Sequence, residues 1–303
     1  MHSILARSLR RSVRPQGASA VAKAFSTVGA TLEKAVDALP HREAVRAFNN
    51  VDRDDDLRFS YQEFNNFVNE LTNGFLELQF QKGDTIALWL PNNAENLVAQ
   101  FAAAKAGLNI AAVDPSISTV DELAFVVKDS KAVALLFDPK NNDSDSTDVA
   151  KQVFANQPYA RGLQTVITTA IDPVHGFLQF RRILVNALES HYVEQRTAQI
   201  DAAAPLVVSY TRNNGQTPIR GAALTHGDVL KQAKDIVNSV KLTSNDKILL
   251  TDVPAGFVVA SVAAALKNSM VVLAPSALKE HAVSLETPSV ATDAKAAVFQ
   301  RLQ

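Results

Sequence analysis

The chain has 303 residues, enough to bury a full core in one large domain or two smaller ones. It is 47% hydrophobic and 20% charged, with 11 Gly, 12 Pro and a net charge of −1, an ordinary balance for a globular α/β protein and no basis for a nucleic-acid partner. There is no cysteine, which excludes disulfides, thiolate metal ligands and a cysteine nucleophile; the six scattered histidines form no i,i+4 pair, so no metal site is expected.

Residues 1–25 carry Arg7, Arg10, Arg11, Arg14 and Lys23 and no acid; the first is Glu33. Ile4, Leu5, Leu9 and Val13 fall near helical spacing opposite the arginines. A basic, acid-free amphipathic segment of this kind predicts a mitochondrial transit peptide, with processing near Phe25. Removing those five of the 30 basic residues leaves 25 against 31 acidic ones, net −6. The expected location is the matrix or the matrix face of the inner membrane, without a transmembrane segment. The longest apolar run, Val253 to Leu266, contains Pro254, Gly256 and Ser261 and reads as a buried helix.

The remaining elements follow from periodicity, caps and breakers. The pattern predicts a helix from Thr31 to Leu39, with Thr31 as cap, and a strand from Ala44 to Phe48. Asp52, Asp54 and Asp56 alternate in a turn, but the glycine a calcium loop needs is Leu57. Ser60 and Glu63 form a capping box for a helix to about Phe80, with Phe64, Phe67, Leu71, Phe75 and Leu78 on one face. Next come a strand (Thr85 to Leu90), a helix (Ala94 to Ala106) stopped by Gly107, a strand (Asn109 to Val113), a helix (Thr119 to Asp129) and a strand (Ala132 to Phe137).

Residues 138–148, rich in Asn, Asp and Ser, are the predicted linker between a first α/β half (26–137) and a second (149–280). The second half holds a helix (Asp148 to Asn156), a strand (Gln164 to Thr168), a helix near Leu178 to Ser190, and a strand (Leu206 to Ser209) entering a loop. A helix (Gly227 to Val240), a strand (Lys247 to Thr251), the apolar helix and a strand (Met270 to Leu273) complete it. Residues 281–303 form an Ala-rich tail predicted to be partly helical. Alternating strands and helices predict doubly wound, mostly parallel sheets with helices on both faces.

Several stretches resemble the adenylate-forming (AMP-binding) superfamily of acyl- and aryl-CoA synthetases, luciferases and peptide-synthetase adenylation domains. They are Phe59-Ser60-Tyr61-Gln62-Glu63-Phe64, Lys82 to Asn93, Ala104 to Asn109, and Val113-Asp114-Pro115. The loop from Tyr210 to His226 is also similar to that family's phosphate loop, whose centre reads Thr/Ser-Ser-Gly-Thr-Thr-Gly-x-Pro-Lys-Gly. There, glycines let backbone N–H groups close around phosphate, hydroxyls donate to it and lysine adds charge. Here the loop has one residue too many, Arg212, Asn213 and Asn214 replace small residues, and Ile219-Arg220 replaces Pro-Lys. Thr211, Asn213, Asn214, Gly215, Arg220 and Gly221 are therefore read as a vestigial loop that holds no cofactor, with no catalytic residue. Where the resemblance implies a histidine near the acyl site, this chain has Phe257, read as core, with Ala260 for a glycine. The adenine-binding stretch, the ribose-binding aspartate and the lysine-bearing C-terminal domain of the family find no match before residue 303.

This pattern predicts a pseudoenzyme, the N-terminal part of an adenylate-forming fold. It would serve as a structural or accessory subunit of a mitochondrial assembly such as a respiratory complex or the ATP synthase, bound to other protein subunits and peripheral to the inner membrane. Two alternatives stay open: a retained ATP, AMP or acyl-CoA binding module, and one half of a split synthetase. Asp201, His226 and Ser209 show no spacing that joins them into a triad, and His226 is read as a helix-start residue.

Overall fold

The computed structural model describes residues 27–48, 57–141, 144–156, 162–186, 191–213, 216–250, 254–273 and 299–302. The transit-peptide reading of 1–25, the acidic turn, and Asn214 and Gly215 of the loop lie outside them. Helix α1 spans Val28–Ala38. Its cap is Thr27, whose hydroxyl accepts from Ala30 N–H, four residues earlier than the sequence reading; Thr31 lies inside the helix and donates to the Thr27 carbonyl. Strands β1 (Glu43–Ala47) and β2 (Leu57–Ser60) precede α2 (Tyr61–Glu77), where the Ser60–Glu63 capping box forms as read. Phe67 turns outward at 37% exposure and packs edge-on against Phe59.

Strand β3 (Thr85–Trp89), α3 (Ala94–Ala106), β4 (Asn109–Val113), α4 (Val120–Ser130) and β5 (Ala132–Phe137) follow. Asn93 caps α3, and Gly107, at φ 70°, ends it in the left-handed region. Thr119 and Glu122 close a second capping box on α4. Next come a two-residue pair, β6 (Lys140–Asn141) with β7 (Ser144–Asp145), then α5 (Thr147–Ala155), β8 (Thr165–Thr168), β9 (Leu178–Gln179) and α6 (His191–Thr197). The remainder is β10 (Pro205–Asn213), β11 (Gln216–Arg220), β12 (Leu224–Thr225), α7 (His226–Ser239), β13 (Lys247–Leu250), α8 (Pro254–Lys267), β14 (Met270–Leu273) and β15 (Phe299–Leu302).

An eight-stranded sheet runs β11-β10-β4-β3-β5-β8-β9, with β12 against β10; a five-stranded sheet runs β15-β13-β14-β1-β2. Pairings inside the large sheet from β10 to β9 are parallel, as are β1–β14 and β13–β14. Alternation sorts the side chains: Ile86, Leu88, Ile110 and Ala112 face a core shared with α1, α2, α3, α7, α8 and the small sheet. Ala87, Trp89, Ala111 and Val113 face a second core under α4 and α5. Helices therefore cover both faces of a mainly parallel sheet, as the sequence predicts. The apolar run became α8, and no described helix is long and apolar enough to cross a membrane.

Two readings are corrected. Residues 138–148 do not separate two sheets: β8 pairs directly with β5 across them, β10 with β4, and β14 with β1. A polar run marks a surface connection, and parallel strands need such connections within one sheet as much as between domains. Where a helix is expected from Leu178 to Ser190, the described residues to Asn186 hold a two-residue strand and one 3-10 turn, Phe180–Arg182. Its apolar residues Phe180 and Ile183 are buried because this strap docks on α2, where Val185 N–H donates to the Glu70 carbonyl. The close approach requires Gly74, since a Cβ there would lie 1.8 Å from the Ile183 carbonyl oxygen. Of the tail, only 299–302 are described: they form β15, which pairs antiparallel with β13, Leu249 opposite Gln300; the partly helical reading of the rest lies outside the described residues.

Candidate functional site

The segment at the phosphate-loop position is a β-hairpin. Strand β10 is held in register on β4, Val207 to Tyr210 against Ile110 to Val113, and β11 returns along it. Tyr210 faces Arg220 and Thr211 faces Ile219, but Asn213 faces Gln216, so the register shifts by one at Arg212. Two residues of β11, Thr217 and Pro218, stand opposite Arg212, a bulge in that strand. Gly221 is required by proximity: its N–H donates to the Ser209 carbonyl at 2.8 Å, and a Cβ would lie 2.3 Å from the Ser209 hydroxyl.

Several donors of the described hairpin are engaged within the fold. Asn213 Nδ2 donates to Gln216 Oε1 at 3.2 Å, and the Thr211 hydroxyl to the Ile219 carbonyl at 3.5 Å. Arg212 N–H donates to Asp114 Oδ2 at 3.2 Å while its Nε lies 3.4 Å from Glu122 Oε1. Arg220 Nη1 lies 3.4 Å from Asp129 Oδ2, the same oxygen that accepts from the Tyr210 hydroxyl at 2.6 Å. Three carboxylates of one β4–α4 unit thus meet the hairpin's two arginines and its tyrosine.

Electrostatics fits this arrangement. Burial, then the bond to Asp129, pushes the Tyr210 hydroxyl far above its ordinary range, so it stays a donor. Burial pushes the Glu122 carboxyl up. The Thr119 hydroxyl, the Ser118 and Thr119 N–H groups and Arg212 together outweigh it, so Glu122 titrates below its usual value and remains anionic. A phosphate group entering here would meet three carboxylates and donors already committed.

The other sequence candidates resolve as scaffold. His226 starts α7 and is fully buried; its Nδ1 accepts from Val28 N–H at 3.2 Å, tying α1 to α7. Burial lowers its pKa to about 4 against a weak pull from Asp201, so the imidazole is neutral. Asp201 binds the Ala203 N–H, and Ser209 faces Gly221, so the three make no triad. Phe257 and Ala260 are 3% and 0% exposed, within the core. Among the described residues no cluster of three or more potential ligands could hold a metal.

Sequence reasoning missed two features. One is the clamp by Asp114, Glu122 and Asp129; its only local signal is the capping box that places Glu122. The other is a buried lysine, Lys105, on α3: its ammonium contacts Glu33 of α1 and donates to Asn65 Oδ1 at 2.6 Å and Asn69 Oδ1 at 2.8 Å, both on α2.

Comparison with known proteins gives the family and agrees with the fold. The family model described as AMP-binding enzyme matches residues 32–286. YngI of Bacillus subtilis (strain 168), named as an acyl-CoA synthetase, is 27% identical over 237 residues, covering 74% of this chain and 42% of YngI. The mitochondrial medium-chain acyl-CoA ligase ACSF2 of Homo sapiens is 25% identical over 228 residues, covering 71% of this chain and 36% of that enzyme. The chain thus spans well under half the length of these relatives. Among solved structures, apo MbtA of Mycobacterium smegmatis superposes with a TM-score of 0.67 at 22% identity, over 86% of this chain and 46% of MbtA. The anthranilate CoA ligase AuaEII, solved with anthranoyl-AMP, gives 0.67 at 15% identity, over 86% and 47%. With a family match across most of its length and the fold of these enzymes, the chain belongs to the AMP-binding enzyme family and corresponds to the N-terminal part of an acyl-CoA synthetase.

Proposed function

We propose that this chain is a non-catalytic member of its family, a pseudoenzyme that serves as a structural or accessory subunit of a mitochondrial protein assembly. The observation that carries the reading is the hairpin: the described part of the loop that should cradle phosphate is a strand pair whose two arginine side chains pair with Glu122 and Asp129, while Asp114 accepts from the Arg212 backbone N–H. Catalysis by adenylation depends on stabilising charge that develops on phosphate. A site already filled with internal carboxylates opposes that charge. The acid-free arginine-rich arm supports mitochondrial delivery, and so does the naming of the ACSF2 relatives as mitochondrial.

A scaffold role needs a stable surface rather than a mobile loop, and the clamp supplies rigidity at the place where an enzyme needs mobility. Co-migration tests the proposal. Mitochondria solubilised in mild detergent and run on a native gel are expected to show this chain in a band far above 32.7 kDa. Migration as a free monomer, together with retention on an ATP or acyl-CoA resin, would replace this reading with that of a ligand-binding module.

A further inference from the structure

A half-open cleft of about 650 Å³ lies between α2, the strap and α6. Asn73 and Leu76 line it from α2, Val185 and Asn186 from the strap, Tyr192 and Gln195 from α6. It sits on the face of the large sheet opposite α4 and the hairpin. Its walls are fixed from behind. Arg196 Nη1 and the Thr197 hydroxyl donate to the Ala106 and Lys105 carbonyls at 3.3 and 3.2 Å, which seats α6 on the end of α3. Lys82 Nζ donates to the Gln199 carbonyl at 3.2 Å and holds the turn after α6. Asn73 is 8% exposed, and its carboxamide has no hydrogen-bond partner among the described residues. A nearly buried amide in this state presents a donor and an acceptor side by side, both to be met from the cleft.

We propose that this cleft binds an extended, uncharged peptide segment of a partner subunit through its main chain. A peptide unit offers the N–H and C=O pair that Asn73 lacks. Two more carboxamides repeat at matching intervals: Gln195 and Gln199 are four positions apart, about 6 Å at the helical rise. An extended chain presents its same-side groups every two residues, about 6.6 Å. Glu77 and Arg196 bring one charge of each sign, so the cleft favours neither an acidic nor a basic segment. Leu76 and Val185 take an apolar side chain between them, and the exposed Tyr192 ring packs beside it. The partner rests on the accessory-subunit reading above; the chemistry of the cleft does not.

The test offers the immobilised full chain a library of N-acetylated, C-amidated pentapeptides built from uncharged residues. The wild type is expected to retain members of it. Asn73→Leu, close in volume, is expected to weaken the retained peptides about thirtyfold and Gln195→Ala about fivefold, the factors for two hydrogen bonds and for one. The same peptides N-methylated along the backbone are expected to be lost. No retention by the wild type, wild-type affinity in both variants, or undiminished binding of the N-methylated peptides would overturn the proposal. Gln195 is exposed, so its variant supplies the comparison if Asn73→Leu does not fold. A chain that binds these peptides yet runs as a monomer on the native gel refutes the accessory-subunit reading and leaves the main-chain site standing. A chain that binds none of them yet runs in a large band refutes the site alone.

Discussion

Glu33→Ala is expected to destabilise the fold by about 2–3 kcal/mol, although Glu33 sits on a surface helix with a side chain 46% exposed. The reason is Lys105, which is fully buried and whose ammonium, among the described residues, is neutralised by Glu33 alone. Removing one member of a buried pair costs about 3–5 kcal/mol when both are desolvated; the half-exposed carboxylate already loses part of that to water. Two acceptors remain, Asn65 Oδ1 and Asn69 Oδ1, so the ammonium keeps hydrogen bonds but not its counter-charge. Lys105→Met should cost less, about 1 kcal/mol, because it removes the charge itself and leaves mainly the buried Asn65 oxygen unsatisfied. The pH dependence gives a second signature. Burial holds the Lys105 pKa below its ordinary value against the pull of Glu33. Between the folded and unfolded pKa the unfolded chain binds more protons, so stability rises with pH up to the unfolded lysine value of about 10.4 and then levels. Without Glu33 the folded pKa drops further, and the rise begins at lower pH. Urea unfolding at pH 7 and pH 9 measures both effects. A Glu33→Ala change within about 0.5 kcal/mol of wild type at pH 7, or a cost for Lys105→Met larger than for Glu33→Ala, would refute the argument.

Gly74→Ala should cost about 2–3 kcal/mol through overpacking, because the added Cβ would meet the Ile183 carbonyl at 1.8 Å and push the strap off α2; faster proteolysis between Phe180 and Asn186 checks which segment moves. His226 carries a folded pKa of about 4 against an unfolded 6.5. The unfolded state binds the extra proton between those values, so stability is full above pH 6.5 and falls by up to about 3 kcal/mol as pH drops to 4. A His226→Gln variant, compared with wild type by urea unfolding over that window, should show a shallower fall; an identical fall would assign the acid sensitivity elsewhere.

Much of the fold was legible because its signals are local. Helix α3 is bounded by Asn93 and Gly107, and both ends match the reading; β4, β5 and β14 match as well, each a short apolar run between breakers. The errors arose where distant contacts decide. Phe180 and Ile183 have helical spacing, yet their burial comes from docking on Gly74, more than 100 residues earlier. Thr27 and Thr31 are equally good caps by type; the buried His226, which accepts from Val28 N–H, marks where α1 begins. How the described part of the loop closes on the β4–α4 unit was invisible. The three carboxylates that clamp it lie about 80 to 100 positions away and carry no local mark of that role.

The central claim is that the hairpin at the phosphate-loop position performs no adenylation. Carboxylate-dependent ATP–pyrophosphate exchange by the purified full chain, with a panel of short-, medium- and long-chain fatty acids and aryl acids, tests it most directly. The account predicts exchange at the level of the no-protein control for every acid. Exchange above that control, dependent on the acid and abolished by Arg220→Ala, would contradict it and show that the loop still works on phosphate.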